Sequence, residues 1–368
     1  MTRRTQFLFS LLPAAMAAVV VLTPPARAVG PDPKDVQAVL DKGYAFLKKH
    51  QGEDGSFSPK VAGPGVTALV VAALIRNGYS DDDPVVAKGL AYLEKNIQPN
   101  GGVYSGMLAN YTTSVALMAF QEANKNGKYD AVLKNGTKFL KGLQDDAADP
   151  KDAHFGGVGY DGRERPDLSN TQYFVDSLIQ AGVPKDDPAI QRALQFVSRC
   201  QNLPGESQDQ PFAAKATEDD KGGFVYRPDP DDKQHQTAAG GLRSLGAMTY
   251  GGLKTFLYAG VKKDDSRVQG AIKWIRAHYT LDENPGLKQA GLFYYFHTFG
   301  KAMAALGDDT FEDAKGVKHD WRQELFQALK SRQGEDGGWI NQGDRMFGEG
   351  DDNLATGFAL LALSYTKK

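Results

Sequence analysis

One short phrase occurs near both ends of the chain. At positions 42–57 the sequence is KGYAFLKKHQGEDGSF, and at positions 328–339 it is ALKSRQGEDGGW. In both places the phrase joins a helix-like segment to a Gly-rich turn and then to a more apolar segment. Self-similarity of this kind is typical of repeat architectures, in which each unit covers the hydrophobic face of its neighbour. The phrase therefore predicts a repeat fold.

Further copies of the phrase lie between these two. Each has an aromatic–aliphatic pair, two of them have a Gln four residues later, and three have a following pair of glycines. The aromatic–aliphatic pairs are at 92–93, 139–140, 196–197 and 274–275, the glutamines are Gln144 and Gln201, and the glycine pairs are at 101–102, 156–157 and 222–223. One copy is degenerate, with Tyr279 at the place of the Gln. The sequence therefore predicts six units.

Each unit is predicted to contain two unlike helices. In the first helix of the first unit, Val36, Val39, Leu40 and Leu47 follow the 3.6-residue spacing of a half-buried helix. In the second helix, as at 66–75, nearly every residue is apolar, so that helix is buried on all sides. Six such pairs predict an all-α fold, an (α/α)6 toroid with the apolar helices as its inner ring. The alternative is an open solenoid, which would expose one face of the inner layer.

The first 28 residues are predicted to be an export signal. Arg3 and Arg4 precede an apolar run at 7–21, and the residues at 26–28 form a small-x-small cleavage site. We therefore expect a mature chain at 29–368 that is exported, periplasmic or extracellular, with a retained signal anchor as the alternative. Because the repeats run through 29–368 without a linker, we expect one domain with an insertion at about 202–236.

The composition excludes several functional classes. The chain has 43 basic and 45 acidic side chains, and three of the basic residues but none of the acidic ones lie in the first 28 residues. A mature chain with an acidic balance has no electrostatic footprint for nucleic acid. The single Cys200 excludes an internal disulfide and a multi-thiolate metal site. We therefore predict no metal and no cofactor.

The repeated phrase resembles a known motif. Gln333, Gly337 and Trp339 match the core of the QW repeat of squalene–hopene cyclases and related triterpene cyclases, and Gln51 and Gly55 belong to a similar copy. Similar repeats occur in the β subunits of protein prenyltransferases. The resemblance covers all six units and implies a toroid whose central cavity opens at one end of the inner helices. It does not determine the chemistry, because a fold does not imply a function.

On this resemblance, the N-terminal ends of the inner helices are expected to surround the mouth of the cavity. The residues predicted to line the cavity are mostly aromatic, and aromatic rings can stabilise carbocations through cation–π attraction. They are Tyr111, Tyr173, Arg243, Tyr250, Tyr294, Tyr295 and His297. The alternative for each of them is a helix cap or a core contact.

Triterpene cyclases start their reaction with an Asp-x-Asp-Asp motif, whose central carboxylic acid protonates an alkene. The resemblance implies that Glu349, Asp351 and Asp352 have this catalytic role, with Asp351 as the central acid, because they directly precede an inner helix. The stretch at 229–232 has the Asp-x-Asp-Asp sequence itself, but the prolines in and before it predict a solvated loop. The alternative for Asp351 and Asp352 is that they cap the following helix, which would favour their charged forms.

A second segment is similar to part of the protein prenyltransferases. Phe296, His297 and Thr298 resemble the Tyr-His-Thr segment that gives those enzymes one zinc ligand. The partner Asp-x-Cys segment is missing, and Cys200 is predicted to lie near the end of an outer helix. Since a catalytic zinc takes three protein ligands, the sequence favours a toroid without zinc.

Three functional hypotheses follow. The first is an acid-initiated cyclase or isomerase of the class II terpene cyclase type, whose partner is a hydrophobic isoprenoid-type small molecule and which makes peripheral contact with a membrane. The second is a non-catalytic toroid that binds a hydrophobe or a protein. The third is an extracytoplasmic polysaccharide lyase or hydrolase, which would use paired carboxylates and aromatic platforms. The motifs favour the first hypothesis, and export favours the other two.

Overall fold

The structure is a computed structural model that describes residues 29–145, 149–205, 208–229, 231–233 and 235–367. The predicted export signal at 1–28 lies outside these residues. Within the described ranges, none of the helices has the length and apolar composition that a membrane span requires.

The regular secondary structure of the described residues is almost entirely helical. In chain order these are α1 (Pro33–His50), α2 (Pro59–Ala62), α3 (Gly65–Arg76), α4 (Pro84–Lys95), α5 (Ala109–Glu122), α6 (Asp130–Lys141), α7 (Leu168–Gln180), α8 (Pro188–Arg199), α9 (Gly246–Tyr258), α10 (Ser266–Ala277), α11 (Leu292–Leu306), α12 (Trp321–Lys330) and α13 (Asp352–Ser364). A short antiparallel hairpin of β1 (Phe311–Glu312) and β2 (Lys318–His319) lies between α11 and α12.

Six of these helices form a closed inner ring. Each of α3, α5, α7, α9 and α11 packs against the next inner helix, and α13 packs against both α11 and α3. The outer helices α1, α4, α6, α8, α10 and α12 pack on the outside of this ring. The predicted all-α (α/α)6 toroid of six helix pairs is therefore confirmed, and the open solenoid is wrong because α13 returns to α3.

The outer helices begin at aspartate caps. Asp83, Asp187 and Asp265 each accept a hydrogen bond from a backbone N–H in the first turn of α4, α8 and α10 respectively. Asp32 and Asp320 cap α1 and α12 in the same way. A side-chain oxygen at this position satisfies a backbone donor that has no partner within the helix. The beginning of the outer helix is thus set locally in five of the six units.

In four of the six units, the Gln of the repeated phrase joins the unit to the next one. Gln51 donates hydrogen bonds to the carbonyl oxygens of Gly55, in its own turn, and Val85, in the following outer helix, at 3.1 and 2.9 Å. Gln144 and Gln201 make the same pair of bonds, each to its own glycine turn and to the first turn of the next outer helix. The motif is therefore a connection between units.

The last copy of this bond closes the ring. Gln333 donates to the carbonyl oxygens of Gly337 and of Val39 in α1, at 2.9 and 3.0 Å. Gly337 has φ +93°, and a Cβ at this position would lie 2.4 Å from the carbonyl oxygen of Lys42 in α1. Only glycine permits both this backbone conformation and this close approach. The sixth unit therefore meets the first through the same contact that Gln51, Gln144 and Gln201 make.

A Thr in five of the six inner helices completes the motif. The backbone N–H of Phe57 donates to the hydroxyl of Thr67, and the backbone N–H of Trp339 donates to that of Thr356, both at 2.9 Å. The residue after the glycine is thus held on the inner helix of its own unit. The repeats in the sequence identified the Gln, the glycine and the aromatic residue of the motif, but they did not identify this Thr.

The predicted insertion at about 202–236 connects α8 to α9. Its described residues contain the single-turn helix at Ala213–Lys215 and otherwise irregular structure. Gln208 holds it to the end of α8 by donating to the carbonyl oxygens of Arg199 and Gln201 at 2.6 and 2.5 Å. The insertion therefore extends the fourth unit without interrupting the inner ring.

Replacing Gln333 by Ala tests the closure. The change leaves the carbonyl oxygens of Val39 and Gly337 without this donor, so we expect the free energy of unfolding to fall by about 1–3 kcal/mol. Urea unfolding followed by circular dichroism measures this difference. Gln37→Ala is the control, because Gln37 is exposed and bonds to Asp41 on the surface of the same helix. Equal losses in the two variants would contradict the closing role of Gln333.

Candidate functional site

The axis of the ring can be located from contacts between helices that are not neighbours. Tyr173 of α7 and Tyr294 of α11 are separated in the ring by α9, yet their ring centroids lie 6.3 Å apart. Tyr111 of α5 meets Tyr173 edge-on at 5.4 Å, and Phe358 of α13 lies 5.7 Å from Tyr294. We call Tyr111, Tyr173, Tyr294 and Phe358 the aromatic layer. Its members lie in the first half or at the middle of their helices, towards the predicted mouth.

The hydroxyl groups of the aromatic layer differ in their partners. Tyr294 Oη lies 2.9 Å from the hydroxyl of Ser169 and also accepts a hydrogen bond from the amide of Gln172. Tyr173 Oη is buried and has no hydrogen-bond partner among the described residues. Burial raises the pKa of Tyr111, Tyr173 and Tyr294 above the usual value, so these phenols are neutral. The layer thus presents ring faces and neutral hydroxyls to the axis.

A cluster of charged side chains lies on the axis beyond the aromatic layer. Lys254 of α9 and Lys301 of α11 both donate to the same carboxylate oxygen, Oδ2 of Asp176 in α7, at 2.6 Å. The lysine side chains are 2% exposed and that of Asp176 is 5% exposed. We call these three residues the axial cluster. Charged side chains are seldom fully buried unless they are paired, which is the arrangement found here.

Burial and pairing have opposite effects on the pKa values of the axial cluster. Burial alone would raise the pKa of Asp176, but the charges of Lys254 and Lys301 bring it below its usual value. Burial lowers the pKa of Lys254 to about 8, against the opposing attraction of Asp176. Burial likewise lowers the pKa of Lys301. At neutral pH both the carboxylate and Lys254 are therefore charged.

A second ion pair stands beside the axial cluster, at the C-terminal ends of the inner helices. Arg76, the last residue of α3, lies 2.6 Å from Glu122 at the end of α5, and it donates to the hydroxyl of Tyr365 at 2.6 Å. The positive charge of Arg76 is close enough to help lower the pKa of Lys254 and Lys301. Arg76 is 14% exposed and Glu122 is 30% exposed, so this pair is less buried than the axial cluster.

His297 connects the two levels. It lies one turn before Lys301 in α11, and its ring centroid is 6.1 Å from that of Phe358 and 6.0 Å from that of Tyr365. Burial, together with the charges of Lys301, Arg76 and Lys254, lowers its pKa well below the usual value, so the imidazole is neutral. Its Nδ1 has no hydrogen-bond partner among the described residues, and the same is true of Oδ1 of Asp176.

Two of the three predicted catalytic carboxylates, Glu349 and Asp351, hold helix ends. Glu349 is fully buried and accepts hydrogen bonds from the backbone N–H of Tyr294, at the start of α11, and from Asn341, both at 2.8 Å. Burial raises the pKa of Glu349 above the usual value, although these donors oppose the shift. Asp351 caps α13 by accepting from the backbone N–H of Leu354 at 2.9 Å. The structure thus favours the capping alternative for Asp351.

Asp352 lies apart from the axis. It lines a groove of about 740 Å³ on the outside of the ring, together with Phe293, Arg332 and Trp339. The three carboxylates therefore do not share one site at the axis, and their catalytic role stays a prediction.

Four of the seven predicted lining residues lie at the axis, namely Tyr111, Tyr173, Tyr294 and His297. The other three do not. Tyr250 and Tyr295 pack against each other, with ring centroids 5.6 Å apart, and both contact Phe299. Arg243 is exposed beside a separate pocket of about 370 Å³, because it belongs to the long connection that precedes α9. The structure thus places Tyr250 and Tyr295 in the core and Arg243 at the surface.

The sequence analysis missed the axial cluster, although the chain contained a signal. Asp176, Lys254 and Lys301 are isolated charges in segments that otherwise have the composition of buried helices. A charge in such a segment must find a partner inside the ring. As for metals, the described residues contain no group of three or more His, Cys, Asp or Glu side chains that could hold an ion.

Comparison with known proteins agrees with this architecture. Residues 57–218 match the family model of the squalene-hopene cyclase C-terminal domain. No curated protein sequence matches the chain. The type II terpene cyclase MstE from Scytonema has a similar structure, with a TM-score of 0.56 and 11% identity, over 90% of this chain and 98% of that chain. A variant of MstE in complex with its substrate geranylgeranyl dihydroxybenzoate gives a TM-score of 0.52 and 13% identity, over 90% of this chain and 97% of that chain.

The same fold also occurs in carbohydrate-active proteins. A D-mannose isomerase is similar with a TM-score of 0.56 and 11% identity, over 91% of this chain and 97% of that chain. At such identities the structural similarity shows the fold alone. The matched family model and the closed ring of repeats together confirm the resemblance that the repeated phrase predicted, to the squalene–hopene cyclase and protein prenyltransferase superfamily.

Proposed function

We propose that the protein binds the isoprenoid chain of a small molecule along the axis of its ring, and that it acts on this chain as a cyclase or isomerase of the class II terpene cyclase type. The aromatic layer carries this proposal. Rings from four inner helices meet at the axis, and three of them bear neutral hydroxyls. Such ring faces pack against isoprene units and attract a developing cation.

The mouth end of the ring bears exposed apolar side chains that support entry of a hydrophobe. Val61, Met107, Met346 and Phe347 are 41%, 78%, 47% and 57% exposed. They lie in the segments just before α3, α5 and α13, which are neighbours in the ring. We call these four residues the apolar rim. Exposed apolar groups that occur together in this way often mark a binding surface, and this one would also serve peripheral contact with a membrane.

The backbone at the same end supports a functional role for it. Ser58, Leu108 and Phe347 have φ angles of +42°, +66° and +60°. A positive φ is uncommon for residues other than glycine, and such conformations cluster at ligand-binding sites. All three residues lie shortly before an inner helix, at the ends that surround the aromatic layer.

Similarity to a known cyclase and the sequence at 1–28 also support the proposal. The fold is shared with a cyclase that binds a geranylgeranyl compound, which makes a chain of that length a reasonable first ligand. We also propose that the protein acts after export, because the sequence at 1–28 has the features of an export signal. An exported cyclase would draw its substrate from the membrane, and the apolar rim is suited to that source.

Replacing Tyr173 by Leu tests the aromatic layer. Tyr173 contacts both Tyr111 and Tyr294, so its loss removes the central ring of the layer. We expect the affinity for geranylgeraniol, measured by fluorescence titration, to fall by about tenfold, which corresponds to about 1.4 kcal/mol. The matched control is Tyr92→Leu, because Tyr92 is a half-buried tyrosine of outer helix α4. A loss of affinity in both variants, or in neither, would count against binding at the axis.

Two substitutions of Asp351 separate catalysis from capping. Asn caps a helix as well as Asp does but has no acidic proton to give, whereas Ala does neither. We expect Asp351→Asn to unfold at the wild-type temperature and to bind isoprenoid without cyclising it. Asp351→Ala should also be inactive and should lose about 1 kcal/mol of stability.

The measurement is native mass spectrometry of residues 29–368 after incubation with a bacterial lipid extract, followed by product analysis. Full cyclisation by Asp351→Asn would leave capping as the only role of Asp351. An isoprenoid bound but unchanged by the wild type would support the non-catalytic alternative. The capture of oligosaccharides instead of isoprenoids would replace the proposal by the carbohydrate hypothesis.

A further inference from the structure

We propose that Lys254, Lys301 and Arg76 form a subsite for an oxyanion, a carboxylate or a phosphate, at one end of the ligand. The inference rests on the proposed function, since it assigns the polar end of the molecule whose chain contacts the aromatic layer. The ligand would accordingly be amphiphilic, with an anionic head group deep in the ring and its apolar chain towards the mouth.

The charge balance of the axial cluster is the first argument. Two buried lysine side chains share one carboxylate, so with both amines protonated the cluster has an excess of one positive charge. Arg76 adds a further positive charge nearby, which its partially exposed partner Glu122 offsets. A buried charge without a counter-charge is unfavourable. An oxyanion from the ligand would neutralise the excess.

Unused hydrogen-bonding groups are the second argument. An ammonium group has three N–H donors, and the bond that each lysine makes within the described residues is the one to Oδ2 of Asp176. Tyr173 Oη and His297 Nδ1 are also buried without a partner, and their side chains are 4% and 1% exposed. Hydrogen bonds from charged donors to an oxyanion are stronger than those between neutral groups. Unused hydrogen-bonding groups therefore lie on three inner helices, α7, α9 and α11, at the level of the aromatic layer and the axial cluster.

The order of the groups along the helices is the third argument. In α7, Asp176 follows Tyr173 by about one turn, and in α11, His297 and then Lys301 follow Tyr294 by about one and two turns. With a rise of 1.5 Å per residue, the lysines lie roughly 5–10 Å beyond the aromatic layer. A ligand that extends along the axis would thus contact the rings with its chain and the lysines with its head group.

The pockets beside Trp339 and Arg243 are weaker candidates for a ligand-binding site. The groove of about 740 Å³ is formed largely by the turn of the sixth repeat, and its Phe46 and Trp339 are almost fully buried, so they offer no aromatic platform. The pocket beside Arg243 holds Asp219 and His278, which already bond to each other at 3.0 Å. The axial cluster, together with Tyr173 and His297 beside it, instead combines charged groups with buried polar atoms that have no partner among the described residues.

A series of head groups on one chain tests the subsite in the wild-type protein. Geranylgeraniol is neutral, geranylgeranoic acid carries a carboxylate, and geranylgeranyl phosphate carries a phosphate. We expect one or both anionic compounds to bind more tightly than the alcohol by about tenfold in calorimetric titrations, as for a hydrogen bond to a charged group. The stronger of the two identifies the oxyanion. Because this series needs no variant, its outcome does not depend on how a substitution affects folding.

Lys301→Met and Lys254→Met show whether the preference arises at the axis. Each removes one positive charge and leaves the other lysine paired with Asp176, so we expect the anionic and neutral compounds to bind with affinities within about threefold of each other. Lys125→Met is the control, because Lys125 is 59% exposed and pairs with Asp81 on the surface. A preference that survives both axial variants would overturn the subsite.

Failure of the subsite and failure of the proposed function give different results. Equal binding of all three compounds to the wild type would overturn the subsite and leave the proposed function in place. If none of the three binds, titration with inorganic phosphate decides. Binding of phosphate that is lost in Lys301→Met would support the subsite while overturning isoprenoid binding, and no binding of phosphate would overturn both.

Discussion

The hydrogen bonds of the repeated Gln are the interaction on which the ring depends. Each of these side chains bonds to the glycine turn of its own unit and to the outer helix of the next unit, and the last one, Gln333, bonds to α1. In these four units a single side chain thus helps to set the distance and direction between successive helix pairs. The sixth connection has the same geometry as those of Gln51, Gln144 and Gln201, and it closes the ring. One contact, repeated in four of the six units, thus supports the toroid.

Closure also explains why the inner helices look uniformly apolar. In an open arrangement one face of each inner helix would meet water, and its sequence would be amphipathic. In the ring, one face packs under the outer helices, two flanks pack against neighbours and the fourth faces the axis. Residues on that fourth face are few, so their polar character hardly changes the composition of the helix. Asp176, Lys254 and Lys301 are of this kind.

The sequence predicted the fold in full but the site only in part. The repeats gave the number of units, and the resemblance placed the mouth at the N-terminal ends of the inner helices. Of the residues selected on that basis, Tyr111, Tyr173 and Tyr294 lie at the axis. Tyr295 shows the limit of the approach. It follows Tyr294 directly, but one residue turns a helix by about 100°, so its ring points to Phe299 instead of the axis.

The site was harder to predict because the sequence does not show whether a polar side chain holds the fold together or faces a ligand. A carboxylate before an inner helix suits both a cap and an acid, and the structure gives Asp351 the geometry of a cap. A lysine in an apolar helix could face a neighbouring helix or the axis, and its partner on another unit was not visible in the sequence. The axial cluster forms only because α7, α9 and α11 are held in one ring.

The central claim is that one amphiphilic molecule occupies the axis, with its chain at the aromatic layer and its head group at the lysines. A crystal structure of residues 29–368 with geranylgeranyl phosphate tests it most directly. We predict density along the axis, with the chain against Tyr173 and Tyr294 and the phosphate within hydrogen-bond distance of Lys254 or Lys301. Ligand density in the outer groove beside Arg332 and Asp352, with an unchanged axis, would contradict the account.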